Sequence, residues 1–228
     1  MKHSGKATTA ALRLLLMSLL LLVGVFAVGY AAYLLWAVVK TVAGVLVCLW
    51  LLFVAFSLYF FRDPEPKVPT DSNAVVAPAH GKVDVIEEMT EAVFMNGRCR
   101  RVSIFLSVFD VHVQQAPIAG KITCRKHTPG QFLNAMKSES AMLNENILIG
   151  FDSSERPGEK IGVRLIAGLI ARRIVPWVTE GDTVARGERI SLIQFGSRVD
   201  LYLPLTAQVK VNLGDRVVGG ETIVATRA

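Results

Sequence analysis

Gly196-Ser197, the only Gly-Ser step in the chain, interrupts a stretch that otherwise has the period-2 pattern of a strand. A serine hydroxyl is a weak nucleophile at its ordinary pKa and needs an adjacent general base. His112, in the segment DVHVQ, is the candidate base. Each residue also has a plainer interpretation. The glycine can mark a β-bulge beside a water-facing serine, and the histidine can form a hydrogen bond at a strand surface. The pattern alone favours these plainer interpretations over a nucleophile and a base.

Metal and disulfide chemistry are not predicted. The chain has three cysteines, an odd number, which favours a reducing compartment over a disulfide framework. Cys99 and Cys124 have neither C-x-x-C nor paired histidine spacing, so they do not predict a zinc site. His3 and His127 are expected at the surface.

The N-terminal quarter of the chain predicts a membrane anchor over residues 1–61. From Leu14 to Phe61 the only charged residue is Lys40. As one helix this stretch would measure roughly 70 Å, more than twice the ~30 Å hydrocarbon core of a bilayer. Two apolar helices, near 12–34 and 38–61, are therefore predicted, forming a hairpin that turns near Lys40. A hairpin half-inserted in one leaflet remains open. A cleaved signal peptide is disfavoured because the apolar run continues past Ala32.

Basic residues flank both predicted helices and set their orientation. Lys2, Lys6 and Arg13 precede the first helix, and Arg62 and Lys67 follow the second. The positive-inside rule places both ends in the cytoplasm, so the remaining domain is expected on the cytoplasmic side of the inner membrane.

The formal net charge of +6 favours an anionic membrane surface as partner. Two clusters of arginine stand out, Arg98, Arg100 and Arg101 in one and Arg172 and Arg173 in the other. Neither cluster is interleaved with aromatic residues, so no nucleic acid is expected as a partner.

The rest of the chain predicts a mainly β domain over residues 70–228, joined to the anchor by a Pro-rich linker at 62–69. Short apolar runs bounded by Gly, Pro and Asn indicate strands. The candidate strands are VDVIEEM, RVSIFLSVF, VHVQQAP, KITCRK, ILIGF and IGVRLIAGLIARRIVPWV. A short helix is predicted at GQFLNAMKS, residues 130–138.

An internal repeat indicates the type of β fold. The pattern Gly-Asp-x-Val-x-x-Gly-Glu-x-Ile, at 181–190, recurs 33 residues later at 214–223. It is similar to the half-motifs of lipoyl and biotinyl carrier domains. That similarity implies a flattened β-barrel or sandwich with two pseudo-equivalent edges. The chain lacks the Met-Lys-Met tip that a carrier would modify, so the repeat predicts the fold and not a carrier function.

Several further segments, in order from about residue 60 to the C-terminus, resemble the phosphatidylserine decarboxylase family in its short, membrane-anchored bacterial form. FGSRVDLYLP resembles the self-cleavage region of that family. The other matching segments are FFRDPEP, APAHGKV, IFLSVFDVHVQQAPIAGKI, LNEN and LIAGLIARRIV.

The resemblance implies a self-processing enzyme. Ser197 would attack the carbonyl of Gly196, the chain would break between the two residues, and Ser197 would become a covalent pyruvoyl group. That group would form a Schiff base with phosphatidylserine and release CO2 and phosphatidylethanolamine. The implied cofactor is the pyruvoyl group alone, with no metal and no pyridoxal phosphate. The implied partners are phosphatidylserine and the two fragments of the processed chain; a homo-oligomer remains open.

By the same resemblance, His112 matches the histidine that activates the cleaving serine, and His80 stands where the family normally has an aspartate. A neutral His80 could accept a hydrogen bond from His112 but could not supply an anion. Asp84 and Asp110 are alternative carboxylates. Two other functions stay open: decarboxylation of a related lipid such as archaetidylserine, and a non-catalytic membrane-bound β-barrel adaptor that has lost the aspartate.

Overall fold

The structure is a computed structural model that describes residues 6–133, 143–168, 173–194 and 196–227. The chain forms two compact units, residues 1–57 and residues 58–228. Most of the helix predicted at 130–138 lies outside the described residues, as do Lys2, His3, Arg172 and Phe195.

A single apolar helix, α1 (Lys6–Phe60), forms the N-terminal part of the chain. The stretch Leu12–Phe60 is long and apolar enough to cross a membrane, by length and composition. The side chains from Leu12 to Phe53 are exposed all around the helix, as expected for a helix that lipid surrounds.

The predicted turn near Lys40 is wrong, because α1 runs through Trp36 and Lys40 without a break. The prediction came from the thickness of a bilayer, which is not a local property of the chain. Locally, α1 contains no proline, and lysine is a good helix former. Nothing in the segment itself therefore ends the helix before Phe60.

The second unit is mainly β, which confirms the predicted fold class. Its strands are β1 (Ala74–Val76), β2 (Gly81–Glu91), β3 (Gly97–Leu106), β4 (Val113–Gln115), β5 (Gly120–Thr128), β6 (Asn146–Ser153), β7 (Lys160–Ala167), β8 (Ile174–Pro176), β9 (Thr183–Val184), β10 (Arg189–Ile193), β11 (Ser197–Leu203), β12 (Gln208–Val209), β13 (Arg216–Val217) and β14 (Ile223–Thr226).

Eight strands form a sheet in the order β13-β2-β3-β11-β7-β6-β5-β9, which curls into a half-barrel. β11 lies near its middle, antiparallel to both neighbours, with Ser197 opposite Leu106 of β3 and Ala167 of β7. The alternation predicted for β11 is present: Val199, Leu201 and Leu203 belong to the main hydrophobic core.

Two smaller sheets have the orders β4-β10-β8 and β1-β14-β12. In the first, β10 pairs with β4, so that Leu192 lies opposite Val113. The amide of Ile193 also donates to the carbonyl of His112, at 3.1 Å. This pairing brings the residue before β4 next to the residues that follow β10.

The internal repeat corresponds to two equivalent turns. Gly181 and Gly214 have φ angles of 100° and 96°, and Gly187 and Gly220 both have 75°. The strands that follow the first turns, β9 and β13, are the two outermost strands of the large sheet. The prediction of two pseudo-equivalent edges is therefore confirmed.

The Pro-rich segment 62–69 has no regular secondary structure and is tied to the β unit by ion pairs and hydrogen bonds. Arg189 pairs with Asp63 at 2.6 Å and with Glu65 at 3.0 Å. The amide of Lys67 donates to the carboxylate of Glu221 at 3.0 Å. The segment predicted as a linker is thus a fixed part of the second unit.

Candidate active site

Gly196 occupies the turn between β10 and β11 in a conformation that favours glycine. Its φ is 74°, in the left-handed region. A Cβ atom built on it would lie 3.8 Å from Val108 Cγ1, which is ordinary contact. Backbone conformation, and not lack of space, therefore makes a glycine favourable immediately before Ser197.

Ser197 begins β11, and its side chain is fully buried. Its Oγ atom has no hydrogen-bond partner within residues 6–133, 143–168, 173–194 and 196–227. Leaving a buried hydroxyl unpartnered costs about 1–3 kcal/mol, so such atoms are uncommon and call for an explanation. A hydroxyl that reacts with its own backbone provides one.

His112 lies directly before β4 and is fully buried. Its Nε2 accepts a hydrogen bond from the amide of Gly196 at 3.0 Å. Its Nδ1 lies 2.9 Å from the carbonyl oxygen of Asp110. A carbonyl can only accept, so Nδ1 carries the proton and the lone pair of Nε2 faces the peptide of Gly196.

Burial lowers the pKa of His112 from its ordinary value of 6.5 to about 4. The hydrogen bond to the Asp110 carbonyl and the charge of Asp110 oppose this effect, whereas Arg62 and His80 add to it. His112 is therefore neutral near pH 7, which is the form that a general base requires.

Side-chain hydrogen bonds also fix the main-chain carbonyl of His112. Gln114 Nε2 donates to the carbonyl of His112 at 2.6 Å, and Ser191 Oγ donates to Gln114 Oε1 at 2.7 Å. The ring of Phe60 lies over the imidazole, with 4.4 Å between centroids and 33° between planes. Sequence reasoning did not find Gln114, Ser191 or Phe60. The quoted segments FFRDPEP and VHVQQAP contain Phe60 and Gln114, but no residue type marked either as part of a site.

His80 is half-buried and lies next to β2. The proton on Nδ1 of His112 goes to the main-chain oxygen of Asp110 and not to His80, so a role of His80 in the site stays a prediction. The carbonyl of Asp110, two residues before His112, lies within hydrogen-bond distance of Nδ1 because the chain turns between these residues. Burial lowers the pKa of His80, and Arg62 adds to this, while Asp110, Glu221 and Asp63 oppose it.

Neither alternative carboxylate bonds to the imidazole. Asp84 pairs with the guanidinium of buried Arg198, at 2.9 Å to Nη1. The carboxylate of Asp110 accepts from the amide of Ser107 at 2.8 Å and pairs with Arg216 at 3.0 Å. Asp110 orients His112 through its backbone and acts on it electrostatically from nearby.

The predicted basic cluster is largely neutralised within the sheet. Arg98 and Arg100 both pair with Glu88, at 2.8 and 3.0 Å, and Arg101 pairs with Glu87 at 2.6 Å. Among the described residues, no group of three or more His, Cys, Asp or Glu side chains could hold a metal ion.

The sequence was compared with known families and curated proteins. The family model described as phosphatidylserine decarboxylase matches residues 53–225. A phosphatidylserine decarboxylase proenzyme of Desulfotalea psychrophila is 47% identical over 201 residues, which are 88% of this chain and 93% of that protein. The proenzyme of Symbiobacterium thermophilum is 44% identical over 169 residues, which are 74% of this chain and 78% of that protein. The proenzyme of Erythrobacter litoralis is 47% identical over 182 residues, which are 74% of this chain and 72% of that protein. This chain, with Ser197 and the neutral His112 beside the same turn, belongs to the phosphatidylserine decarboxylase family.

Proposed function

We propose that the chain is a proenzyme that cleaves itself between Gly196 and Ser197 and then decarboxylates phosphatidylserine to phosphatidylethanolamine. One observation carries the proposal: the buried, unpartnered hydroxyl of Ser197 follows a Gly196 whose amide is bonded to the neutral imidazole of His112.

In the first step, the Ser197 Oγ attacks the carbonyl carbon of Gly196. The lone pair on His112 Nε2 accepts the hydroxyl proton and delivers it to the departing nitrogen, so that an ester replaces the amide. For this, Nε2 exchanges the amide of Gly196 for the neighbouring hydroxyl of Ser197. The carbonyl of Asp110 holds the proton on Nδ1 and so keeps the lone pair on Nε2.

In the second step, removal of the Cα proton of Ser197 breaks the bond between Cβ and Oγ. One chain then ends in the carboxylate of Gly196, and the other begins with a dehydroalanine. Hydrolysis of this dehydroalanine releases ammonia and leaves a pyruvoyl group at the start of residues 197–228. The position fits such a group, because the start of β11 is buried and held by pairing with Leu106 and Ala167.

When formed, the pyruvoyl ketone supplies an electron sink for the loss of CO2 from the amino-acid headgroup, the role that pyridoxal phosphate fills in other enzymes. The residues of the chain would then exclude water and move protons. His112, neutral and buried, is the candidate for moving a proton beside residue 197.

The apolar helix supports a membrane location for this activity. A lipid substrate keeps its headgroup at the interface, and a tethered domain meets it at high local concentration. We place the chain at the inner membrane with the β domain on the cytoplasmic side, because the free thiols of Cys99 and Cys124 suit a reducing compartment. Since α1 is unbroken, the basic residues at its two ends do not decide the side. The exposed side chains from Leu12 to Phe53 suit contact with lipid.

Intact-mass spectrometry of the purified protein tests the proposal. We expect two chains, residues 1–196 and residues 197–228 with a pyruvoyl terminus, and conversion of phosphatidylserine in vesicles. Ser197→Ala should give a single inactive chain. An uncut wild-type chain of 24.9 kDa without activity would instead favour a non-catalytic adaptor. Conversion of archaetidylserine in place of phosphatidylserine would identify the related lipid as the substrate.

A further inference from the structure

The last turn of α1 differs from the rest of the helix. Phe60 is fully buried, and within the part of α1 whose side chains are described, residues 12–60, it is the only one that is. The aromatic side chains earlier in the helix, such as Phe26 and Phe53, are 70% and 63% exposed. Phe60, Phe61 and His112 all lie in the second compact unit, residues 58–228.

Phe60 covers one face of the His112 imidazole. The two rings are 4.4 Å apart between centroids and tilted by 33°, close enough to exclude a water molecule from that face. Phe61 packs edge-on against Phe60, with centroids 5.0 Å apart at 81°. The candidate base is therefore shielded by the residue that ends the apolar helix.

The neighbours of Phe60 hold the loop that precedes His112. Tyr59 Oη and Arg62 Nη2 both donate to the carbonyl of Phe109, at 3.3 and 2.7 Å. The guanidinium of Arg62 also lies 3.9 Å from the centroid of the Tyr59 ring. The next residue in the loop is Asp110, whose carbonyl fixes the proton on His112 Nδ1. The segment Tyr59–Arg62 thus contacts the base directly and also through its backbone partner.

We infer that Phe60 is a positioning residue for self-cleavage, whose ring keeps water from the His112 imidazole and holds Nε2 toward the peptide of Gly196. This inference rests on the proposed function of His112. On this inference, the last residue of α1 contributes to the catalytic site, in addition to the role of the helix as a membrane anchor.

The inference has an electrostatic consequence. The charged and titratable groups around His112 are Arg62 after α1, His80 beside β2, and Asp110, which is paired with Arg216. Burial is the largest cause of the low pKa of His112. Loss of the Phe60 ring admits water, so the pKa should rise from about 4 toward the ordinary 6.5. Protonation would then remove the base under mildly acidic conditions.

The first test measures the imidazole itself, independently of any reaction. In full-length protein in detergent, Ser197→Ala keeps the chain uncut, and NMR titration of the ring Cε1–H, assigned with His112→Gln, reports the pKa. We expect Phe60→Ala to raise the pKa of His112 by about 1 unit or more, and Phe60→Leu by less. Phe53→Ala, the same truncation at an exposed position of α1, should leave it unchanged.

The second test measures the rate of self-cleavage against pH in chains that carry Ser197. For Phe60→Ala we expect the rate at pH 5 to be roughly two- to tenfold lower than the rate at pH 8, since a base whose pKa has risen to between about 5 and 6 is half to mostly protonated at pH 5. A residue that only fills space would lower the rate by the same factor at both pH values.

An unchanged pKa of His112 in a folded Phe60→Leu precursor, together with an unchanged pH profile, would overturn the inference. Phe60→Leu retains apolar volume, so it is the variant for both measurements if Phe60→Ala does not fold. The two proposals fail in different ways: an uncut wild-type chain refutes self-cleavage, whereas a wild-type chain that cleaves and Phe60 variants with unaltered profiles refute only the role of Phe60.

Discussion

At the residue scale, His112 is fully buried and has its lone pair on one defined nitrogen, Nε2, which accepts a hydrogen bond from the amide of Gly196. Because the pKa of His112 is about 4, its neutral form persists well below physiological pH. The rate of self-cleavage should stay nearly constant from pH 8 down to pH 5 and then fall as pH approaches the pKa. Fragment appearance after a pH jump, quantified by gel, measures this. His112→Gln should remain uncut throughout. A fall centred near pH 6.5 would show that the reacting imidazole is not buried.

His80 provides a second prediction. Burial lowers the pKa of His80, so His80 is neutral at pH 7 to 8 and His80→Asp replaces a neutral imidazole with an attracting anion. The anion should stabilise the imidazolium that forms as Ser197 reacts, and we expect faster cleavage at pH 7 to 8. The same change should raise the pKa of His112 and move the acid limit of the reaction upward. His80→Asn, which is neutral, is the matched control. Equal rates for the two variants would show that the charge at residue 80 does not act on His112.

The residues of the site were predictable in part. Gly196, Ser197 and His112 stand in segments that resemble a known family, and the structure brings Gly196 and His112 into contact. The orienting group was not predictable, because it is the carbonyl of Asp110 and every residue has a carbonyl. Only the turn between Asp110 and His112 selects it.

At the element scale, the site depends on the turn between β10 and β11. Gly196 has a φ of 74°, and a non-glycine residue in this region costs roughly 1–2 kcal/mol. We expect Gly196→Ala to lower the free energy of unfolding of the uncut Ser197→Ala protein by about that amount, and to slow cleavage when Ser197 is present. Urea denaturation and fragment gels measure the two effects.

Gly158 offers a matched control for this prediction. Its φ is 84°, and a Cβ atom there would meet nothing within 4 Å. Gly158→Ala should therefore impose a similar backbone cost without changing the rate of cleavage. Equal slowing by both variants would mean that the loss of stability, and not the geometry before Ser197, limits the reaction.

The strands of the β domain were predictable because the short apolar runs and the repeated glycine turns both indicate the same β fold. The repeat at 181–190 and 214–223 marks turns that demand glycine, and these turns precede the two edge strands. The helix was predicted less well. Its apolar composition predicts helix along its whole length and gives no signal for a turn. The turn near Lys40 was predicted only from an assumption about the thickness of the surrounding bilayer.

At the scale of the whole molecule, cleavage after Gly196 would not divide the fold along a natural boundary. Residues 197–228 contribute β11 to the interior of the large sheet, β13 to its edge, and β12 and β14 to a smaller sheet. Within the described residues, five ion pairs join this part to the rest: Arg101–Asp200, Arg198–Asp84, Arg216–Asp110, Arg227–Glu155 and Arg227–Glu159. The two fragments should therefore remain one folded body.

Arg227 tests this expectation most directly, because its side chain is fully buried and pairs with both Glu155 and Glu159. Replacing Arg227 takes an ion-pair partner from Glu159, whereas Glu155 keeps Arg186, and the glutamates are partly exposed, so we expect a cost of about 3 kcal/mol, the lower end for buried pairs. Arg227→Met should lower the urea concentration at which the two fragments separate. Size-exclusion chromatography in detergent, at increasing urea concentration, measures this separation. Arg98→Met is the control, since Arg98 is 69% exposed and pairs with Glu88 inside one fragment; exposed pairs contribute at most about 1 kcal/mol. If both variants separate at the wild-type urea concentration, the ion pairs of Arg227 contribute nothing measurable and the pairing of β11, β13 and β14 with strands of the large fragment holds the two together.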